Sequence, residues 1–474
     1  MKPQGGAGDT GQVPGHGRDA QPVHRGWVFT IVALPLFMMA VDGTIVATVL
    51  HTLQQGLRTS VNWAGWTLTA YSFGFVLMLP VSGKLSERYG RRKIFLGSVV
   101  TFTVASLCCG LAENIFVLIG LRAIQAAGGA GFTPSATGII VDHFGDARDR
   151  AVSLFGSIFP IGSMVGPIFG GLFVTYWTWR GVFFVNVPIG IVVIALAMRH
   201  VPPDSPRPAK ARFGMDVPGM AWLGICLLAG MFAISYLGER DVRLGSPVFL
   251  VPAAIAIVSA WSFFHHVRRS PSPFISPRFI HGPGFGPVNL VNLIYSGITI
   301  GAVALIPLYA TNRYGVDALD SGTLLIAQGA AAIMMSLTGA MILRRTGHRL
   351  PIYAGGVVIA GGMLLLAVGP HFGISPYVWL ACAAFLVGAG GGMLNPASRN
   401  AGLQLAPQQS STLAALRSLS LQIGAISTIS ITTAALTASS DPGRVQAWVY
   451  VASALLLVAA LPLVARVPEH RGAW

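Results

Sequence analysis

The sequence predicts an all-α integral membrane protein of 14 spans, arranged as two six-helix halves with two extra central helices. Three observations carry this. Of 474 residues, 53% are hydrophobic and only 10% are charged, against about 25% charged in soluble domains. The mean hydropathy of +0.66 leaves too little polar surface for a water-soluble fold of this size and excludes disorder for the bulk of the chain. Fourteen apolar runs approach or exceed the ~20 residues that cross a bilayer, and the cations alternate in sign of side along them.

Residues 1–26 are rich in Gly, Pro and Gln without apolar periodicity and are expected to form a disordered cytoplasmic tail. The first apolar run begins near Trp27 and is full length, so it reads as a retained span rather than a cleavable signal. The runs lie near 27–49, 64–82, 94–112, 115–136, 151–175 and 181–199, which make an N-terminal bundle over 27–199. A region over 200–284 follows, with a proline-rich cytoplasmic linker and extra spans at 217–238 and 248–266. The C-terminal bundle over 285–466 holds runs at 285–309, 321–342, 352–369, 376–396, 413–435 and 446–465, and a short tail covers 467–474. Spans are helical because lipid offers no partner for backbone N–H and C=O groups.

Charge position fixes the orientation. With a cytoplasmic N-terminus, 23 of the 31 Lys and Arg fall in inside segments and six in outside loops, with Arg122 and Arg417 left within spans. Cytoplasmic loops carry such an excess, so both termini are expected inside. The net charge of +15 is thus an orientation code, not a nucleic-acid patch. Cys108, Cys109, Cys226 and Cys382 sit in apolar runs and read as packing residues. Neither a metal-ligand grouping nor a phosphate-binding or hydrolase motif occurs, so no enzyme, metal or cofactor is expected.

A faint repeat relates the halves. Gly128-Gly129-Ala130-Gly131-Phe132-Thr133-Pro134 returns as Gly390-Gly391-Gly392-Met393-Leu394-Asn395-Pro396, and Gly83…Gly90-Arg91-Arg92 is echoed by Gly339…Gly347-His348-Arg349. Parallel repeats of this kind build transporters that rock around a central site.

Several motifs add chemistry. Gly83-Lys84-Leu85-Ser86-Glu87-Arg88-Tyr89-Gly90-Arg91-Arg92-Lys93 is a tight basic turn with one acid. Its charges can form a switchable ion-pair latch, with Gly83, Glu87, Arg88, Gly90, Arg91 and Arg92 as the gating set. Gly162, Gly166, Pro167, Gly170 and Gly171 combine a helix kink with small-residue faces for close packing.

The first run resembles the signature loop of the major facilitator superfamily, G-x-L-(A/S)-D-R-x-G-R-(R/K)-x, with Glu87 where Asp is usual. Leu118, Arg122, Gln125 and Gly128 are similar to that family's L-x-x-x-R-x-x-Q-G-x-G motif, with Ala126 replacing a glycine. Gly162–Gly171 is similar to the antiporter motif G-x-x-x-G-P-x-x-G-G. The segment Trp179-Arg180-Gly181-Val182-Phe183-Phe184-Val185-Asn186-Val187-Pro188-Ile189-Gly190 resembles the W-R-x-x-F-x-I-N-x-P-I-G run of the 14-span drug:proton antiporter branch, as does Met38–Val46 around Asp42. The resemblance covers almost all of 27–466, less sharply in the C-terminal half. It implies the major facilitator fold in the plasma (inner) membrane, export of small lipophilic compounds or antibiotics, a proton gradient as the energy source, and a monomer.

Only Asp42 among the 16 acids lies well inside a span. A charge there costs at least ~2.5–3.5 kcal/mol on insertion scales. Asp42, Arg122 and Tyr71 each lie about seven residues, hence ~10 Å, from the outer end of their spans. Asp42 is the expected proton carrier, with Arg122 and Gln125 setting its affinity; a packing ion pair is the alternative. Arg417 either snorkels to the interface or meets a cavity or gate. Trp66, Tyr71, Asn289, Asn292, Tyr295, Gln328, Asn395 and Gln422 are the candidates for lining a substrate cavity, apolar with few directional groups. Export of one endogenous metabolite or natural product, uptake, and a non-transporting scaffold are the competing functions.

Overall fold

The computed structural model describes residues 25–59, 61–204, 216–237, 243, 245–271, 273, 275–316, 318–371, 373–437 and 439–470. The expected N-terminal tail, most of the proline-rich linker and the last residues of the C-terminal tail lie outside these. Among the described residues there is helix and no strand.

The N-terminal half comprises α1 (Arg25–Thr48), α2 (Leu50–Gly56), α3 (Val61–Tyr89), α4 (Arg91–Leu111), α5 (Ile115–Gly129), α6 (Phe132–His143), α7 (Arg148–Tyr176), α8 (Gly181–Phe184) and α9 (Asn186–His200). Two further helices follow, α10 (Val217–Tyr236) and α11 (Pro247–Arg269), and then the short α12 (Pro277–His281). The C-terminal half comprises α13 (Phe285–Val291), a π-helical turn Asn292–Gly297, α14 (Ile298–Ala304), α15 (Ile306–Tyr314), α16 (Ala318–Thr346), α17 (Arg349–Ala367), α18 (Pro376–Gln404), α19 (Ser410–Thr437), α20 (Pro442–Ala459) and α21 (Leu461–Val464).

Thirteen segments among the described residues are long and apolar enough to cross a membrane. The helix at the expected fifth span, α7, is 29 residues long but is not among the 13. Large apolar side chains on the outside, such as Ile257 at 70% and Trp261 at 66% exposure, are the surface of a protein that faces lipid rather than water. The chain is a multi-pass membrane protein.

Each half has its own apolar core. One is built on Phe95, Phe102, Phe132 and Phe155, the other on Tyr295, Tyr309, Met363 and Tyr450. The extra helix α10 lies across the seam between halves, where Leu227 and Met231 pack with Val76 of α3 and Leu419 of α19. α11 packs on α10 and buries only Ser259, Phe263 and Val267.

Three expectations are corrected. Gly83–Tyr89 is not a loop, because α3 runs through it and only Gly90 separates α3 from α4. The helix is continued by strong formers such as Lys84, Leu85, Glu87 and Arg88. It stops at Gly90, whose φ of 110° and ψ of 140° suit a residue without a Cβ. Arg399, counted with an inside loop, is in fact within α18. The fourth span reaches His143, bent at Ala130–Gly131. There the amide of Gly131 donates to Gly128 O, tightening the turn, and Ser82 Oγ donates to Ala130 O at 3.1 Å, so the loosened carbonyl is satisfied.

Gly162 and Gly166 are buried, and their faces meet α1. A Cβ on Gly162 would come within 2.9 Å of Phe37 O, and one on Gly166 within 3.0 Å of Val41 O. Gly170 is also buried on this four-residue spacing. Pro167 and Gly171 lie outside the described side chains.

Candidate functional site

Three helices of the N-terminal half, α1, α5 and α9, meet at one carboxylate. Asp42 of α1 is 1% exposed, and Arg122 and Gln125 of α5 are fully buried. Arg122 Nη1 donates to Asp42 Oδ2 at 2.7 Å. Gln125 Nε2 and Asn186 Nδ2 each donate to Asp42 Oδ1 at 3.0 Å. Arg122 Nη1 also donates to Gln125 Oε1 at 2.6 Å, and Gln125 Nε2 to Ser106 Oγ of α4 at 2.6 Å. The i, i+3 spacing of Arg122 and Gln125 puts both on one helix face.

Aromatic rings complete the surroundings of the guanidinium. Its carbon lies 4.2 Å from the Tyr71 ring centre and 5.6 Å from that of Phe183, close enough for cation–π attraction. Arg122 Nε and Nη2 and the Tyr71 hydroxyl are buried without a hydrogen-bond partner. The carboxylate is thus held by three donors, while part of the cation rests on ring faces alone. Removal of the negative charge would leave Arg122 without its counter-ion.

Of this constellation, sequence reading singled out Asp42, Arg122, Gln125 and Tyr71. It missed Asn186, although the motif around it was in view, and it missed Ser106, for which the sequence gives no signal.

The gating set lies at the end of the bundle where α3 meets α4. Glu87 accepts from the Thr412 amide at 2.9 Å, so a carboxylate sits on the N-terminal turn of α19, the favourable end of that helix dipole. Ser86 and Ser411 hydroxyls are 3.3 Å apart. A Cβ on Gly83 would come within 2.9 Å of Ala415 Cβ, so the glycine lets α3 and α19 touch. Arg91 is buried, pairs with Asp142, and donates to the carbonyls of Gly138 and, at 3.3 Å, Gln408. Arg92 donates to Met198 O, and Arg88 lies over the Tyr89 ring.

The C-terminal half repeats this device. Gly347 has a φ of 73° between α16 and α17. Arg344 Nε pairs with Asp149 Oδ2 at 3.3 Å across the halves. Asp204 accepts from the Arg92 and Lys93 amides at 2.9 and 3.2 Å. Glu469 does the same for the His348 and Arg349 amides at 2.8 and 3.3 Å. Neither acid was visible as a partner in sequence, since 112 and 121 residues separate them from what they cap. Asn400 Nδ2 to Ser153 Oγ at 3.0 Å and Ser157 Oγ to Ser336 Oγ at 2.9 Å add further bonds between halves.

The cavity candidates divide. Asn289 and Asn292 line one cavity together with Arg399 and Arg417, and Asn395 accepts from Arg417 Nη2 at 2.8 Å. Arg417 therefore turns inward rather than snorkelling. Tyr295 is fully buried in the C-terminal core and donates to Leu457 O at 2.8 Å. It is a packing residue here, held by its hydroxyl. Trp66 is 38% exposed beside Phe73, and Gln328 and Gln422 are half-buried. Among the described residues no group of His, Cys, Asp or Glu could hold a metal ion.

This bundle of paired halves is that of a secondary transporter, and the comparisons agree. The Major Facilitator Superfamily profile matches residues 32–429, and the chain belongs to that family. It is a transporter and not an enzyme. It is 28% identical over 350 residues to the Multidrug transporter protein MdtP of Bacillus subtilis, covering 74% of this chain and 64% of that one, so it spans somewhat under two thirds of that relative. It is 30% identical over 399 residues to the Multidrug resistance protein B homolog of Mycobacterium tuberculosis, covering 83% and 73%. It is 28% identical over 476 residues to the Methylenomycin A resistance protein of Streptomyces coelicolor, covering 99% and 98%. In fold it is similar to the human organic anion transporter MFSD10, with a TM-score of 0.70, 15% identity and 93% and 99% coverage.

Proposed function

We propose that this chain is a proton-coupled exporter of small lipophilic compounds or antibiotics, working by alternating access in the plasma membrane with 14 spans and both termini cytoplasmic. The observation that carries the reading is the buried Asp42–Arg122 pair, braced by Gln125 and Asn186. Burial and an adjacent cation pull a carboxylic acid's protonation in opposite directions. A conformational change that alters either loads or releases a proton there. The relatives named for multidrug transport and resistance supply the substrate class.

The latch contacts between Glu87 and α19 and between Arg344 and Asp149 belong to a state closed toward the cytoplasm. Opening that side requires breaking them, and substrate binding or Asp42 protonation supplies the bias. The membrane potential contributes ~2.3 kcal/mol per charge per 100 mV, and one pH unit ~1.4 kcal/mol. One proton inward for one neutral molecule outward uses both. With a single deep acid, low stoichiometry and little potential-driven export of dications are expected.

A second reading is export of a single natural product, favoured by the end-to-end match to the Methylenomycin A resistance protein. A susceptibility panel in a pump-deficient host separates the two by the number of compounds tolerated. The coupling itself is tested in vesicles: substrate-driven proton movement is expected for the wild type and abolished in Asp42→Asn. Unchanged proton movement in that variant refutes the assignment.

A further inference from the structure

A second charged site lies in the seam between the halves, away from Asp42. Its cavity is walled by α6 on the N-terminal side and by α13, α18 and α19 on the C-terminal side. Two guanidiniums, Arg399 of α18 and Arg417 of α19, share this wall and are close enough for their charges to repel. Among the described residues no acid lines the cavity, and neither arginine appears in an ion pair with a carboxylate.

The bonds they make are few for two half-buried cations. Arg417 Nη2 donates to Asn395 Oδ1, while its Nε is buried with no partner. Arg399 Nη1 reaches Val152 O of α7 at 3.3 Å, and its guanidinium carbon is 5.8 Å from the centre of the Phe155 ring. The other polar groups around them are neutral, set among apolar side chains such as Phe285, Val288 and Leu413. The hydroxyls of Thr133 and Thr137 come from α6 and the amide of Asn292 from the π-helical turn. A largely apolar cavity that holds two cations, two threonine hydroxyls and no carboxylate is complementary to one anionic group on an apolar body.

We propose that Arg399 and Arg417 form a receptor for a single small anionic head group, a carboxylate or a phosphate. The cavity is small, so only the charged oxygens of a head group enter it and the body of a ligand lies along the seam. Arg417 has Nη2 held by Asn395 and a buried Nε without a partner, so its Nε–H remains to donate to an oxygen of the anion. Because α6 contributes to the wall, the bound anion ties the two halves together. The inference goes beyond the export reading and does not need it. If the anion belongs to a transported compound, it narrows the substrates to lipophilic acids; if it belongs to an acidic lipid, the site senses the membrane.

The full-length protein in phosphatidylcholine nanodiscs serves as the test, with benzoate, neutral benzamide and inorganic phosphate titrated against thermal unfolding. Benzoate or phosphate is expected to raise the unfolding temperature, and benzamide is not. Half-saturation should rise at least tenfold in Arg417→Gln and in Arg399→Gln, with Arg417→Lys in between. Replacing part of the lipid by phosphatidylglycerol distinguishes the sources. A lipid occupant stabilises the wild type and competes with benzoate, whereas a substrate acid is bound equally in both lipids. The proposal is overturned if the wild type responds to none of benzoate, phosphate and phosphatidylglycerol, if benzamide acts as benzoate does, or if the Gln variants respond like the wild type. The measurement needs no proton gradient, so it stands or falls separately from Asp42→Asn coupling.

Discussion

The Asp42–Arg122 pair makes a quantitative prediction about stability. Both side chains are fully removed from solvent, so neither charge can be rescued by water. Asp42→Asn keeps the shape but removes the counter-charge. It also sets an amide N–H against donors at Gln125, Asn186 or Arg122, all of which now point at Asp42. Breaking one partner of a buried pair costs about 3–5 kcal/mol, and this variant should fall in that range. Arg122→Gln should cost less, because the carboxylate keeps two amide donors. The double variant holds no charge and should cost less than the sum, by a coupling of about 0.5–3 kcal/mol. Reversible unfolding of the four proteins, in a double-mutant cycle, measures it. Additivity within about 0.5 kcal/mol would refute the reasoning and reduce the pair to two independent packing residues.

Three other outcomes follow from the helix junctions. Gly90→Ala forces a side chain into a backbone region suited to glycine and onto the Asp204 carboxylate; it should destabilise by about 1–3 kcal/mol, read in the same unfolding assay. Glu87→Gln removes a charge from the start of α19 and should weaken the latch by about 0.3–2 kcal/mol, seen as a broader spin-label distance between the ends of α3 and α19, with an unchanged distribution as the contrary result. His348, between α16 and α17, is held neutral by burial, which outweighs the Pro468 carbonyl and Glu469 beside it and lowers its pKa. A lowered His pKa in the folded state means the unfolded chain takes the proton first. Stability from this group is therefore complete above about pH 6.5 and declines as pH falls below it, while His470 and Arg349 add like charge nearby. Stability that is flat from pH 7.5 to 5.5 in His348→Gln but falling in the wild type would confirm this; identical slopes would contradict it.

Much of the membrane plan was legible because it is written locally. Apolar runs of ~20 residues, the sidedness of Lys and Arg, and glycine-rich motifs are properties of short stretches. Asp42 and Arg122 could be matched by depth alone, since a helix advances a fixed distance per residue. What failed was whatever depends on a neighbour far along the chain. Gly83–Tyr89 read as a loop because of its charges, yet α3 runs through it, with Glu87 bonded to the backbone of α19. Arg399 read as a loop cation, yet α18 carries it into the seam.

By itself, then, the sequence determined a helical membrane protein of the major facilitator kind with one acid deep inside a span. Only the tertiary structure decided that Asn186 joins that acid and Ser106 its partners, that Asp204 and Glu469 cap the two matching turns, and that Arg399 and Arg417 line one cavity with no carboxylate among the described residues. The reason is physical. Hydropathy reports how each residue is solvated, which one stretch of chain reveals. A hydrogen bond or an unanswered charge depends on positions a few ångströms apart and a hundred residues distant, which folding alone brings together.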